Sequence, residues 1–342
     1  MTITGISANT VQFTPALQFN HYGSPDVTID NSVGVLDTRA AVGHITRNIK
    51  IIAGDDEDWG YRIELFSESD NGTMRIGSII TNGVEFKKGG QYDTEYTVIR
   101  MSNLFGDGNN TISITDSSFE DCKTYCIYAE NITSPTEMTR NVFYKAILYH
   151  VNALYLSDFT FEHNLMIGVF KRPTVTISVR KQPIFCFSMY TPMEAGVSIK
   201  HNLCQGSDVH GFAFPHIPCS AVSNPPYSNN TVGTAGIGFI FSKISGYSCL
   251  AVTEVRAYAC EIGQICSVMG PTELEVVNSI VADSGRGLTL RFGGKGDDKT
   301  GYLRNSFITA ISRPNCPECY GNDAIHCTGR HAVRMLTVTV NG

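Results

Sequence analysis

Residues 117–131 read SSFEDCKTYCIYAEN. A short strand-like run ends on an apolar residue, Phe119, a polar turn follows, and a small or apolar residue opens a second short run. The pattern returns at 159–172 (FTFEHNLMIGVFKR), 202–215 (NLCQGSDVHGFAFP), 256–270 (RAYACEIGQICSVMG) and 278–292 (NSIVADSGRGLTLRF). Phe143 and Phe307 extend the series, so the apolar anchors are Phe119, Phe143, Phe161, Leu203, Ala257, Ile280 and Phe307. Their steps are 24, 18, 42, 54, 23 and 27 residues. The 42 reads as two turns of 21, and the 54 contains a Pro/Ser/Asn-rich insertion near 220–232.

The rest of the chain agrees with strands. No long segment has apolar residues at helical spacing between caps. Short runs rich in Val, Ile, Thr and Phe recur instead, as at 48–52 (NIKII), 111–115 (TISIT) and 236–241 (GIGFIF). A repeat of roughly 20–25 residues built from short strands implies an all-β, right-handed parallel β-helix, a solenoid whose coils stack. Phe119, Phe161, Leu203 and Ile280 are then expected to point into one continuous core. The competing arrangement, an antiparallel sandwich, favours two-residue hairpin turns, and Asn71-Gly72 and Asn82-Gly83 fit those.

Composition narrows the function classes. The chain has 342 residues, a net charge of -6 and no Lys/Arg-rich run, which argues against general nucleic-acid binding. No apolar stretch is long enough to span a membrane as a helix. Eleven cysteines and four sequons, at Asn71, Asn109, Asn131 and Asn229, together point to an extracellular or cell-surface glycoprotein.

Three stretches carry a family resemblance. In 33–60, Val42, Gly43, Ile45, Thr46, Arg47, Asn48, Ile49, Ile51 and Gly54 resemble the end of a G-eight domain. The segment 80–91 (ITNGVEFKKGGQ) resembles the rung that follows it. In 201–219, Asn202, Gly206, Ser207, Gly211 and Phe212 resemble a rung of fibrocystin and fibrocystin-like ectodomains. More distantly, the cell-surface hyaluronidase-type proteins share this organisation. The resemblance implies a G-eight-like region at 1–60, continuous with a parallel β-helix over 61–342, an extracellular location and glycosylation. It implies no settled activity for the fibrocystin branch.

The expected role is therefore structural or adhesive, with catalysis the lesser expectation. The alternative is a glycan-binding or glycan-cleaving protein of the hyaluronidase type. Stacked coils bring side chains about 4.8 Å apart, and paired carboxylates cleave glycosidic bonds. The candidates are Asp208 with His210, and Asp283 with Arg286; Asp208 and Asp283 also lie in Ser/Gly turns, where local backbone bonding favours Asp. Cysteine pairs expected from proximity are Cys122/Cys126, Cys204/Cys219 and Cys260/Cys266. Cys316, Cys319 and Cys327, with His326, read as a further disulfide group or as a zinc site. The acidic run 55–58 reads as a solvated loop or a calcium site without EF-hand spacing. No cofactor is otherwise expected. Strand-like ends, 2–6 (TITGI) and 336–340 (LTVTV), predict self-association into a filament or capping by further domains of a longer precursor.

Overall fold

The computed structural model of the chain describes residues 2–7, 10–14, 27–30, 34–39, 41–54, 58–71, 73–92, 94–105, 111–170, 184–189, 196–242, 247–269, 273–293 and 300–310. About two thirds of these residues, 66%, lie in β-strands, with a single 3-10 turn at Cys219–Ala221 and no α-helix. Their long sheets are parallel, which makes the fold an all-β, solenoid-like stack. Each coil runs through three strands. Ile112–Thr115, Ser118–Cys122 and Tyr125–Ile132 form one coil; Thr136–Thr139, Val142–Ala146 and Tyr149–Leu156 form the next. Strands in equivalent places pair in register, so Ile112 faces Thr136, Ser118 faces Val142 and Tyr125 faces Tyr149.

Sequence explains the bend between the first two strands of a coil. One residue there takes a left-handed conformation: Asp116, Arg140, His163, His201, Asn229 and Glu254 occupy equivalent corners, with φ between 49° and 56°. For a side chain other than glycine this costs about 1 kcal/mol. The next residue repairs the hydrogen bonding that the bend interrupts. At four successive corners it is a buried asparagine: Asn141, Asn164, Asn202 and Asn230. Each of the last three accepts, through Oδ1, the backbone N–H of the asparagine one coil earlier, at 2.9, 3.0 and 3.2 Å. The amide Nδ2 groups donate to carbonyls one coil earlier, those of Ile114, Met138, Phe161 and Ile199, at 2.8–2.9 Å. The same Nδ2 groups of Asn141, Asn164 and Asn202 also donate to the next asparagine's Oδ1. The ladder thus satisfies buried backbone groups that would otherwise be orphaned. It also measures the coils: 23 residues from Asn141 to Asn164, 38 to Asn202 and 28 to Asn230.

The core lies between the three faces. On the second face the inward column is Phe86, Phe119, Phe143, Met166, Cys204, Val232, Ala257 and Val281. The first three rings stack at 4.8 and 4.9 Å, the spacing of the coils themselves. This column corrects the register read from sequence. Phe119 belongs to it, but Phe161 points inward from the first face, where it pairs with Met138 and Ile199. Leu203 and Ile280 each precede the inward residue by one position, which turns them to the outer side of the strand. Leu203 is half-buried, and Ile280 packs into a separate small cluster with Leu36 and Tyr258. Tyr227–Ser228 and Asn230 belong to the stack, and the longest of the measured coils is the 38-residue one before Asn202.

The segment from Leu36 to Asn48 does not join a coil but crosses several. Leu36 packs on Tyr258 and Ile280. The Arg39 carbonyl and the Ala41 N–H meet the Gln205 amide at 3.5 and 3.2 Å. Gly43 lies so close to Val142 and Leu165 that a Cβ there would sit 2.6 and 3.0 Å from them. The Ile45 carbonyl accepts from Ser118 Oγ, and the Arg47 N–H donates to Glu85 at 3.1 Å. The segment therefore runs back along the outside of the second face, from the coil of Ile280 to that of Glu85. Seven coil steps span roughly 34 Å, and eleven extended residues reach roughly 36 Å, so the strap is fully drawn out. Its residues alternate half-buried and exposed over 41–48. It then becomes the first strand of that face, Ile49–Ile52, parallel to Val84–Lys87.

Candidate functional site

The corner column projects a row of polar side chains spaced by the coils. Arg140 grips Asp116 with two hydrogen bonds, 2.9 and 2.7 Å, and Asn82 adds a third at 3.3 Å. The Asp116 carboxyl is held below its ordinary range, chiefly by the Arg140 hydrogen bonds. One coil further on, the imidazoles of His163 and His201 stack at 4.9 Å with planes 4° apart. Partial burial, and then the neighbouring His163, lower the pKa of His201. Glu162 accepts a hydrogen bond from Ser198 at 2.5 Å beside this pair.

A second group lies on the third face. The Arg62 guanidinium sits 4.5 Å above the Tyr96 ring, and Arg100 sits 5.3 Å above Tyr128. Glu64 pairs with both arginines. Burial, followed by a hydrogen bond to Glu130, pushes the Tyr128 hydroxyl up to about 12. Cations over aromatic faces build a flat surface suited to stacking.

A general acid for glycoside cleavage needs a carboxyl raised towards neutrality. Asp37, Glu85 and Asp116, the described carboxyls whose pKa moves, all move down. Burial pulls Glu85 upward, but Lys50, at 3.0 Å, and the Arg47 N–H outweigh it.

Asp208 is exposed at a bulge between Ser207 and His210, whereas the His210 ring lies 4.7 Å from that of Phe185 and burial lowers its pKa to about 4. Asp283 is an exposed corner residue with φ 48°. Arg286 lies in the strand Arg286–Gly293, and its side chain is outside the described residues, as is that of Cys266. Among the sequons, Asn71 is exposed and Asn131 and Asn229 are half-buried at corners, while Asn109 lies outside the described residues. So do residues 55–57, Cys316, Cys319, His326 and Cys327.

Among the described residues three disulfides form: Cys122–Cys126, Cys186–Cys204 and Cys219–Cys249. Spacing along the chain predicts Cys204 with Cys219, but Cys204 points into the core of the second face and meets Cys186 from the third. Cys219 instead reaches Cys249. Cys260 is a buried free thiol, which removes the expected Cys260/Cys266 pair, and burial raises its pKa to about 11. Cys219, Cys249 and Glu275 bring three metal-ligating atoms within 4.8 Å, yet both sulfurs are joined to each other and Arg304 holds Glu275 at 3.0 Å.

Sequence reasoning missed the asparagine ladder. Its signal was present as NVF, NLM, NLC and NTV at 141, 164, 202 and 230, each one residue after a corner.

No family model matches the chain, and no curated protein shows significant similarity to it.

Proposed function

We propose that the chain is a structural or adhesive module of an extracellular or cell-surface glycoprotein, folded as a right-handed parallel β-helix. The observation that carries this reading is the set of three disulfides within one stack. Loops of 18 and 30 residues closed by Cys186–Cys204 and Cys219–Cys249 each add roughly 3–4 kcal/mol in a chain-entropy account. Disulfides of this kind persist in oxidising compartments. Ion pairs also link neighbouring coils: Lys50–Glu85, Lys87–Glu120, Asp116–Arg140 and Glu275–Arg304.

The resemblance to fibrocystin-like ectodomains supports the same reading, because its residues occupy positions with a structural purpose. Asn202 belongs to the ladder, Gly206 takes φ 67°, Ser207 Oγ donates to the His210 carbonyl at 2.6 Å, and Phe212 is fully buried. A Cβ on Gly211 would meet the Gly238 carbonyl at 2.5 Å. In the G-eight-like stretch, Gly43 is the point where the strap presses on the second face.

A second reading, glycan binding of the hyaluronidase type, draws on the Arg62/Tyr96 and Arg100/Tyr128 stacks. Cleavage draws no support from the lowered carboxyls.

The test is surface labelling of intact cells that make the protein, with glycan mapping of the recovered chain. Labelled protein carrying N-glycans at Asn71 and Asn131 is expected. Protein found only inside cells, with both asparagines unmodified, overturns the reading.

A further inference from the structure

Asn131, a sequon asparagine, stands in line with one neighbour on each adjoining coil. Ser102 pairs with Glu130 and Leu104 with Ile132, which sets Asn103 beside Asn131. Glu130 pairs with Leu154 and Ile132 with Leu156, which sets Tyr155 on its other side. The three residues take φ 54°, 53° and 52°, so the same left-handed conformation recurs in each coil. Thr133, which completes the sequon Asn131-Ile132-Thr133, is exposed. Tyr155 is 58% exposed. The other two described sequons lack such a neighbour. Asn71 lies in the turn between paired Asp70 and Thr73, and Asn229 stands between His201 and Glu254 in its corner column.

The Asn131 amide has a fixed orientation. Its Nδ2 donates to Asn103 Oδ1 at 3.1 Å, which engages one of its two N–H bonds. The planar amide turns the second N–H away from Asn103. A sugar on Nδ2 replaces one hydrogen and leaves the other, so the bond to Asn103 survives and the sugar departs on the side of Tyr155. The adjoining coil lies about 4.8 Å away, a distance that one pyranose ring spans. The axial C–H bonds of such a ring make an apolar face, and a tyrosine ring offers a flat apolar surface to match it.

We propose that Asn131 carries an N-glycan whose first N-acetylglucosamine lies against the ring of Tyr155. The inference rests on the extracellular reading and adds what this glycan touches. In the modification, Asn131 Nδ2 bonds to C1 of the sugar as the glycosyl–phosphate bond of a lipid diphosphate-linked oligosaccharide breaks. The lipid diphosphate leaves with the bonding electrons, and Nδ2 gives up one proton. Transfer takes place on the chain before the coils close, so the half-burial of Asn131 in the fold is no obstacle. The glycosylated side chain then clasps three coils: the remaining N–H holds Asn103, and the sugar covers Tyr155.

Hydroxyl-radical footprinting of the full chain, secreted by cultured cells, tests the contact. Thr133→Ala removes the sequon while keeping Asn131, and Thr133→Ser retains it. Covering one of the two faces of the ring should slow Tyr155 oxidation about twofold in the wild type and in Thr133→Ser relative to Thr133→Ala. The exposed Tyr247 should oxidise equally in all three. Trimming the glycan to its first sugar should leave the protection in place. Thermal unfolding supplies a second readout: Thr133→Ala should lower the midpoint in the wild type more than in Tyr155→Ala. An unoccupied Asn131 in the secreted chain, equal oxidation of Tyr155 with and without the glycan, or equal midpoint losses in both backgrounds each overturns the proposal. In protein recovered from the cells that make it, a glycan at Asn71 beside an unmodified Asn131 overturns this proposal alone. Protein confined within those cells, with both asparagines unmodified, overturns the extracellular reading with it.

Discussion

Replacing Asn164 by alanine tests the ladder directly. In the folded chain Asn164 Oδ1 accepts the Asn141 N–H at 2.9 Å and Asn141 Nδ2 at 3.1 Å. Its Nδ2 donates to the Met138 carbonyl at 2.9 Å and to Asn202 Oδ1 at 3.0 Å. Alanine removes all four bonds in a place without access to water. The Asn141 N–H loses its acceptor and the Met138 carbonyl loses a donor. A buried group left unpaired costs about 1–3 kcal/mol, so Asn164→Ala should destabilise by about 3–5 kcal/mol. Aspartate, which keeps the size, should be worse at neutral pH, since its second oxygen faces the Met138 carbonyl and Asn202 Oδ1. Burial and these acceptors would raise the carboxyl's pKa above its unfolded value. The penalty for Asn164→Asp should therefore ease on acidification, as the protonated acid becomes a donor. Equilibrium urea unfolding followed by circular dichroism reads both effects. A loss below about 1 kcal/mol for Asn164→Ala would refute the reasoning, because unpaired buried groups cannot be that inexpensive.

Three other outcomes follow from packing and burial. Phe143→Ala, in the middle of the stacked rings, should lower stability by about 3–5 kcal/mol in the same unfolding experiment. Gly43→Val should lift the strap from Val142 and Leu165, at about 1–3 kcal/mol, and limited proteolysis should then cut between Leu36 and Asn48 while the coils stay resistant. His150 is fully buried, and burial lowers its pKa to about 3, against a smaller opposing pull from the Gly168 backbone. Its folded pKa lies below the unfolded value, so its contribution is complete above about pH 6.5 and is lost as pH falls towards 3, at about 1.4 kcal/mol per pH unit. His150→Phe should flatten that acid limb in thermal unfolding measured between pH 7 and pH 4.

Much of the fold was legible because it rests on side-chain type and spacing. Phe119 and Phe143 lie one coil of uninterrupted strands apart, and the alternation around them survives in the sequence. The register slipped where that regularity ends. Phe159 and Phe161 are both inward residues of a short strand on a different face, and nothing local distinguishes that face from the next. The 38-residue coil before Asn202 then masks the period. Corners are harder still. Arg140, His163 and Glu254 take left-handed conformations that their side chains do not favour, so the bend is imposed by the ladder and the pairing of the coils. Residues 41–48 alternate like a strand, but their course across the coils comes from contacts distant in sequence, such as Gly43 with Leu165. Disulfide partners likewise follow the stack: proximity along the chain finds Cys122–Cys126 and misses Cys186–Cys204.

A disulfide map of the protein purified in its oxidised form, by peptide mass spectrometry without reduction, tests the central claim most directly. The stacked coils and an oxidising location together predict peptides joined through Cys186–Cys204 and Cys219–Cys249, with Cys260 alkylated as a free thiol after unfolding. A Cys204–Cys219 bridge, or Cys186 and Cys204 recovered as free thiols, would contradict the account.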